Sequence, residues 1–108
     1  MNPEIPPGID LENVFLVEVR FMPDAAERRP AQRHEHLLRI AELIRNGTLI
    51  LGGAYTDQGL SSSVLVIRAA DAEAAMDVIR EDVYSRTGVW EGMTVRPFSR
   101  VVLSADAG

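Results

Sequence analysis

Apolar and polar residues alternate along segment 14–22, and this alternation predicts a β-strand. Glu18 and Arg20 interrupt one face of the strand, whereas the other face is apolar throughout. The apolar face carries Phe15, Val17, Val19 and Phe21. Residues 1–12 contain three of the six prolines and show no periodic pattern. We expect them to form an irregular arm that is available to a partner subunit.

The remaining helices and strands are predicted from changes in the spacing of apolar residues along the chain. Apolar residues at helical spacing predict a helix that starts at Ala25 or Pro30 and ends at Asn46, because Asn46-Gly47 is a typical helix stop. Two strands, a helix capped by Asp71 and a last strand are predicted next, at residues 48–56, 63–69, 72–82 and 89–102. The order βαββαβ predicts an α+β, ferredoxin-like fold, in which a four-stranded antiparallel sheet carries both helices on one face.

The second face of this sheet has no predicted cover within the chain. Leu16 and Met22 would share it with charged residues, and Phe98 would lie between Arg96 and Arg100. A half-apolar sheet face is commonly buried by a second copy of the same chain, so we expect a homodimer with the two sheets face to face. The charged residues favour the alternative, a monomer with a solvated face.

Length and composition indicate one ordinary globular domain. The chain has 108 residues, and we assign residues 13–103 to the domain and 104–108 to a tail. The chain contains no cysteine, which excludes disulfides and thiolate nucleophiles. Neither a membrane-spanning apolar run nor a signal-peptide pattern is visible, so we expect a cytoplasmic protein without membrane contacts.

Charge and motifs narrow the partners further. The net charge of −5 disfavours nucleic acids, whose phosphates need clustered cations. The glycine-containing segment 52–59 is not placed between a strand and a helix, so it is not a phosphate loop. His34 and His36 lie about 200° apart around a helix and cannot grip one metal ion. We therefore expect a small-molecule ligand and no cofactor or metal.

The predicted topology places the start of the first helix beside the end of the second. It therefore brings His36 close to Asp82, with Ser63 at the same end of the sheet. A carboxylate beside an imidazole orients the ring and stabilises its charged form, so the pair could move protons. The alternative is a hydrogen bond with a purely structural role.

Several segments resemble the YCII-related family. The resemblance is carried by His36-Leu37, Asn46-Gly47-Thr48-Leu49, Asp82-Val83-Tyr84, Gly88-Val89-Trp90 and Val95-Arg96-Pro97-Phe98. It implies the fold of a dimeric α+β barrel and a catalytic His–Asp pair, here His36 and Asp82, in a pocket at the dimer. Ser63 and Tyr84 are the expected substrate contacts. The family usually has proline after its aspartate, whereas this chain has Val83, which leaves the backbone there less constrained.

Three functions remain open from the sequence. The first is an enzyme in which His36 performs general acid/base chemistry on a small cyclic or aromatic substrate, by proton transfer, elimination or isomerisation. The resemblance extends to a dehydrochlorinase that acts on a hydroxylated aromatic ring, which agrees with this chemistry. The second is a non-catalytic module that binds a metabolite or a protein. The third is a cofactor-free monooxygenase of the same barrel type.

Overall fold

The computed structural model describes residues 4–104 and shows the expected α+β architecture. The elements in chain order are β1 (Ile9–Phe21), α1 (Ala25–Arg45), β2 (Leu49–Ala54), β3 (Ser62–Ile67), α2 (Ala72–Arg80), α3 (Val83–Arg86) and β4 (Trp90–Leu103). The four strands form one sheet in the order β2-β3-β1-β4, and every neighbouring pair is antiparallel. The predicted fold class is confirmed.

The first strand is longer than the alternation in segment 14–22 suggests. β1 begins at Ile9, and residues 9–13 pair with residues 99–103 of β4. The expected irregular arm is therefore wrong for residues 9–12. The physical reason is visible in Ile9-Asp10-Leu11-Glu12, which alternates like a strand and contains no proline. Residues 1–3 of the arm and 105–108 of the tail lie outside the described residues.

The first helix begins at Ala25, the earlier of the two expected positions, and Pro30 lies inside it. Its end is as predicted, because Asn46 is the C-cap and Gly47 follows with a φ of 83° that favours glycine. The second predicted helix ends earlier than expected, at Arg80. A short helix, α3, then follows in place of the expected loop, because the side chain of Asp82 caps a new helical turn.

The core lies between the helices and one face of the sheet. Val17, Val19 and Ile67 contribute from the strands, and each is at most 1% exposed. Ala75 and Ile79 contribute from α2 and are equally buried, as the helical spacing predicted. Among residues 4–104 no helix lies on the opposite face, which we call the open face. The fold therefore brings α1, α3 and the start of β4 together at one end of the core.

Candidate active site

The predicted contact between the two helices is present. His36 Nδ1, on α1, lies 2.8 Å from Asp82 Oδ1, at the N-cap of α3. Asp82 is 1% exposed and His36 is 8% exposed, so water does not screen the pair. The topological prediction of an imidazole–carboxylate contact is confirmed, and the two groups are 46 residues apart in the chain.

Both oxygens of the Asp82 carboxylate accept hydrogen bonds. Oδ1 accepts a second hydrogen bond from the backbone N–H of Tyr84 at 2.9 Å, which is the capping bond of α3. Oδ2 accepts from Arg39 Nη1 at 3.0 Å, and Arg39 also donates to the Val78 carbonyl at 2.8 Å. These bonds fix the carboxylate in one orientation, and they tie α1 to the end of α2 and to α3.

Arg39 is a site residue that sequence reasoning missed. It lies three residues after His36 on α1, and residues at that spacing share one helix face. This spacing could have identified Arg39 from the sequence. If His36 contacts Asp82, a cationic residue one helical turn later is a second candidate to contact the same carboxylate.

Two opposing influences act on the ionisation of Asp82. Burial raises its pKa, since a charged carboxylate is poorly solvated inside the protein. The hydrogen bonds from His36 and the Tyr84 N–H, the charge of His36 and the hydrogen bond from Arg39 all lower it. The lowering influences prevail, and the pKa of Asp82 lies below its ordinary value. Asp82 is therefore an anion at neutral pH.

The ionised carboxylate decides which nitrogen of His36 carries the proton. A carboxylate can only accept, so Nδ1 must be the protonated nitrogen that donates to Oδ1. In the neutral ring, Nε2 is then the acceptor and is free to take a proton from another molecule. An imidazole held in this way can act chemically as a general base, and as a general acid once Nε2 is protonated.

Aromatic rings hold the imidazole from two sides. The Tyr84 ring stacks on His36 with ring centres 3.7 Å apart and an angle of 7° between the planes. Trp90 meets His36 edge-on at 5.2 Å and meets Tyr84 in the same way at 5.3 Å. Such packing restricts ring rotation and adds to the orientation that Asp82 provides.

A cavity of about 300 Å³ adjoins this cluster, which is the lower end of the range for small-molecule sites. Of the residues predicted as site residues, His36, Ser63 and Tyr84 line it, whereas Asp82 lies behind His36. The other lining residues come mostly from β1, α1 and β2, and they include Phe21, Arg29, Arg33, Leu37, Ile40, Gly52, Gly53 and Trp90. The cavity thus has aromatic walls, a serine and a free imidazole nitrogen.

Val83, which replaces the proline expected after the aspartate, does not disturb this geometry. It is the first residue of α3, where proline is favoured because the N–H at that position has no helical acceptor. Asp82 nevertheless has the extended conformation of a cap, with φ −71° and ψ 143°. The capping bond and the contact with His36 therefore form without the constraint of a proline ring.

The described residues offer neither a metal cluster nor a membrane-spanning helix. In this part of the chain, no three His, Asp or Glu side chains are grouped in a way that could hold a metal ion. Within the same range, none of the helices has the length and apolar character needed to cross a bilayer.

Known proteins with similar sequences include one of unknown role and one from a biosynthetic cluster. An uncharacterized protein of Haemophilus influenzae is 27% identical over 95 residues, which cover 81% of this chain and 97% of that protein. The "derivative of benzaldehyde biosynthesis cluster protein C" of Emericella nidulans is 34% identical over 83 residues, covering 68% of this chain and 85% of that protein.

A solved structure with a similar fold is 5-chloro-2-hydroxyhydroquinone dehydrochlorinase from Burkholderia phenoliruptrix, in complex with 2,5-dihydroxybenzoquinone. The TM-score is 0.66, and the match covers 79% of this chain and 92% of the other at 17% sequence identity. This likeness supports the fold. The sequence pattern that defines the YCII-related domain matches residues 14–99, most of the chain. The protein therefore belongs to the YCII-related family.

Proposed function

We propose that the protein is a small-molecule enzyme in which His36 is the general acid/base and Asp82 is its positioning residue. One observation carries the proposal: a buried carboxylate holds His36 Nδ1 at 2.8 Å while the ring itself lines a cavity of about 300 Å³. The imidazole thus faces the space where a substrate would bind, and its orientation is fixed from behind.

The reaction class follows from what the cavity offers. His36 Nε2 accepts a proton from a carbon or hydroxyl of the substrate and returns it to a neighbouring atom or to a leaving group. Asp82 stabilises the imidazolium that forms in between, and it does not itself take up the proton. Proton transfer, elimination and isomerisation are the reactions that this sequence of steps performs.

The walls of the cavity favour a ring-shaped substrate. Phe21, Tyr84 and Trp90 offer apolar surface, and Ser63 offers a hydroxyl that can bind a substrate oxygen. The fold neighbour acts on a hydroxylated, chlorinated aromatic ring and the fungal relative belongs to a benzaldehyde cluster, both of which agree with such a substrate.

The most direct test uses the ring compounds named for the fold neighbour. Wild-type protein is titrated with 2,5-dihydroxybenzoquinone, and chloride release from 5-chloro-2-hydroxyhydroquinone is assayed alongside proton exchange in related phenols. We expect His36→Gln and Asp82→Asn to lower kcat by about 10²–10⁴ with the fold intact by circular dichroism. Asp77→Asn, the same exchange at an exposed position of α2, serves as the matched control and should leave kcat unchanged.

A specific observation also favours a second candidate, a non-catalytic binding module. The His36–Asp82–Arg39 cluster joins three helical segments, and such a cluster can serve stability alone. The two candidates differ in one outcome. Ligand binding without any His36-dependent turnover, together with a large loss of stability in His36→Gln, would favour the binding module.

We further propose that the protein works as a homodimer that buries the open face. In the single chain, Leu51 and Phe98 project from this face and are 59% and 44% exposed. Leu16 and Val64, on the same face, are only partly buried. A sheet with this much uncovered apolar surface is typical of a subunit interface.

Analytical ultracentrifugation tests the dimer. Wild-type protein should sediment as two copies at micromolar concentration, and Leu51→Glu should shift it toward one copy because the substitution places a charge on the open face. Leu51 contributes little to the core, so the variant should keep its fold. A wild-type protein that stays monomeric at all concentrations contradicts the proposal.

A further inference from the structure

Two arginines of α1 line the cavity without a carboxylate partner among residues 4–104. Arg29 and Arg33 lie four residues apart, one helical turn, and their side chains belong to the same wall as His36. Among residues 4–104, neither is paired with a carboxylate. Arg28, on another face of the helix, is by contrast paired with Asp24 at 2.7 Å. The Arg29 guanidinium lies over the Phe21 ring, with Cζ 5.8 Å from the ring centre. No carboxylate among the described residues neutralises either guanidinium, so both can meet an anionic ligand.

The charge inside the cavity is opposite to that of the protein. The chain carries a net charge of −5, yet among the described residues that line the cavity there is no aspartate or glutamate. Asp82 lies behind His36, and the guanidinium of Arg39 compensates its charge. The electrostatic potential in the cavity is therefore positive, which favours the binding of an anionic ligand.

Three buried hydrogen-bond donors of the same cavity also have no partner. They are Arg29 Nε, the Tyr84 hydroxyl and Trp90 Nε1, and each belongs to a lining residue. Tyr84 is 1% exposed and Trp90 is 5% exposed. A buried donor without an acceptor is unfavourable, so acceptor atoms of a bound ligand would be favoured here. The other buried side-chain atom without a partner, Asp24 Oδ1, belongs to a residue outside the cavity wall.

The geometry points to a carboxylate-binding subsite at Arg29 and Arg33, and we infer that the substrate is a small ring compound bearing a carboxylate. The planar guanidinium groups match a carboxylate through paired hydrogen bonds. Hydroxyl or carbonyl oxygens on the ring then accept from Tyr84 and Trp90, and the ring faces His36. This inference rests on the proposed function, since it concerns the same cavity, and it adds the substrate class.

Calorimetric titration with two matched probes tests the inference. 2,5-Dihydroxybenzoate and hydroquinone differ by one carboxylate, so the ratio of their Kd values isolates the subsite. Wild-type protein should bind the carboxylate probe about tenfold or more tightly than hydroquinone, and this preference should weaken with salt. Arg29→Gln and Arg33→Gln should each remove most of the preference, measured as the ratio of the two Kd values in the same variant.

Arg45→Gln is the control variant, because Arg45 is on the same helix, is 69% exposed and lies far along it from the cavity wall. It should bind both probes like the wild type. The inference is overturned if wild-type protein does not bind 2,5-dihydroxybenzoate, if the carboxylate gives no preference, or if the double variant Arg29→Gln/Arg33→Gln keeps that preference with its fold intact by circular dichroism.

One further variant separates this failure from failure of the proposed function. His36→Gln should retain the carboxylate preference within about threefold, because the subsite is on other residues, although it abolishes acid/base turnover. Arginine-dependent binding without His36-dependent turnover supports the subsite and contradicts the catalytic role. His36-dependent turnover without any carboxylate preference supports the catalytic role and contradicts the subsite.

Discussion

Two carboxylates in this protein are each held by two basic side chains, and they differ mainly in their surroundings. Asp82 accepts hydrogen bonds from His36 and Arg39 at 2.8 and 3.0 Å. Glu12, on the open face of β1, accepts from Arg68 and Arg100 at 2.6 and 2.8 Å. The pKa of each carboxyl lies below its ordinary value, and that of Glu12 is lowered to about 2, chiefly by the hydrogen bonds from Arg68 and then Arg100.

Burial separates the two clusters. The Asp82 side chain is 1% exposed and adjoins a cavity, whereas the Glu12 side chain is 33% exposed and adjoins solvent. Water replaces a lost partner at Glu12, but it cannot do so at Asp82. Similar hydrogen-bond geometry therefore has different consequences, and the buried cluster includes an imidazole that lines a cavity. The following changes exploit this contrast.

The largest effect is expected from truncating the two carboxylates. Asp82→Ala removes the acceptor of Arg39 Nη1, His36 Nδ1 and the Tyr84 N–H, so the free energy of unfolding should fall by about 3–5 kcal/mol. Glu12→Ala should cost about 1 kcal/mol or less. Urea unfolding of the two variants measures the difference, and equal losses would mean that burial does not distinguish the clusters.

A smaller contrast is expected between the arginines. Arg39→Gln removes the hydrogen bonds to Asp82 and to the Val78 carbonyl and should cost about 1.5–3 kcal/mol. Arg100→Gln leaves Glu12 with Arg68 and with water, so about 0.5 kcal/mol is expected. Thermal unfolding provides the measurement. A greater loss in Arg100→Gln than in Arg39→Gln would reverse the proposed order.

Acid should destabilise the protein through both carboxylates. Because the folded pKa of Asp82 is below its ordinary 3.8 and that of Glu12 is about 2 instead of 4.5, each group stabilises the fold above its unfolded pKa. That contribution is lost as the pH falls through the folded pKa. Asp82→Asn and Glu12→Gln should each flatten the acid side of the stability curve.

Salt then distinguishes the two contributions to this acid sensitivity. At about 1 M salt, screening acts over ~3 Å and should weaken the contribution of half-exposed Glu12 more than that of Asp82. The check is urea unfolding over the acid range at low and high salt. Equal screening of both contributions would contradict the difference in burial.

The smallest effect is expected at Val83. Val83→Pro places proline at the first position of α3, where no helical hydrogen bond is lost, and Asp82 already has a compatible extended conformation. The entropic gain of about 0.4–1 kcal/mol should roughly offset the lost packing of this buried valine. Stability and ligand binding should both stay near wild type. A loss comparable to that of Asp82→Ala would show that the cap depends on Val83 itself.

The sequence was most informative where period and topology act together. The apolar alternation of Val17 and Val19 placed the core face of β1, and the element order alone placed His36 beside Asp82. The expectation for the inner face of α1 was less accurate. Leu37 lines the cavity and is 46% exposed, and Ile44 is 51% exposed, although both lie at the predicted helical spacing.

The sequence could not predict contacts that depend on how residues distant in the chain are placed by the fold. The spacing from His36 makes Arg39 a candidate, but its bond to the Val78 carbonyl is visible only in the folded chain. The helix α3 is too short to leave a periodic signal, and its start depends on the capping bond of one carboxylate. That Arg29 and Arg33 have no carboxylate partner among residues 4–104 likewise becomes visible only when the neighbouring side chains are placed.

The central claim is that buried Asp82 fixes the tautomer of His36 and leaves Nε2 free for a substrate. Nitrogen-15 NMR of the imidazole, recorded at a pH where the ring is neutral, tests it directly. We expect the His36 proton on Nδ1 and an unprotonated Nε2 in the wild type, with this preference weakened in Asp82→Asn and unchanged in Asp77→Asn. A wild-type ring protonated on Nε2, or one that exchanges freely between the two forms, would contradict the account.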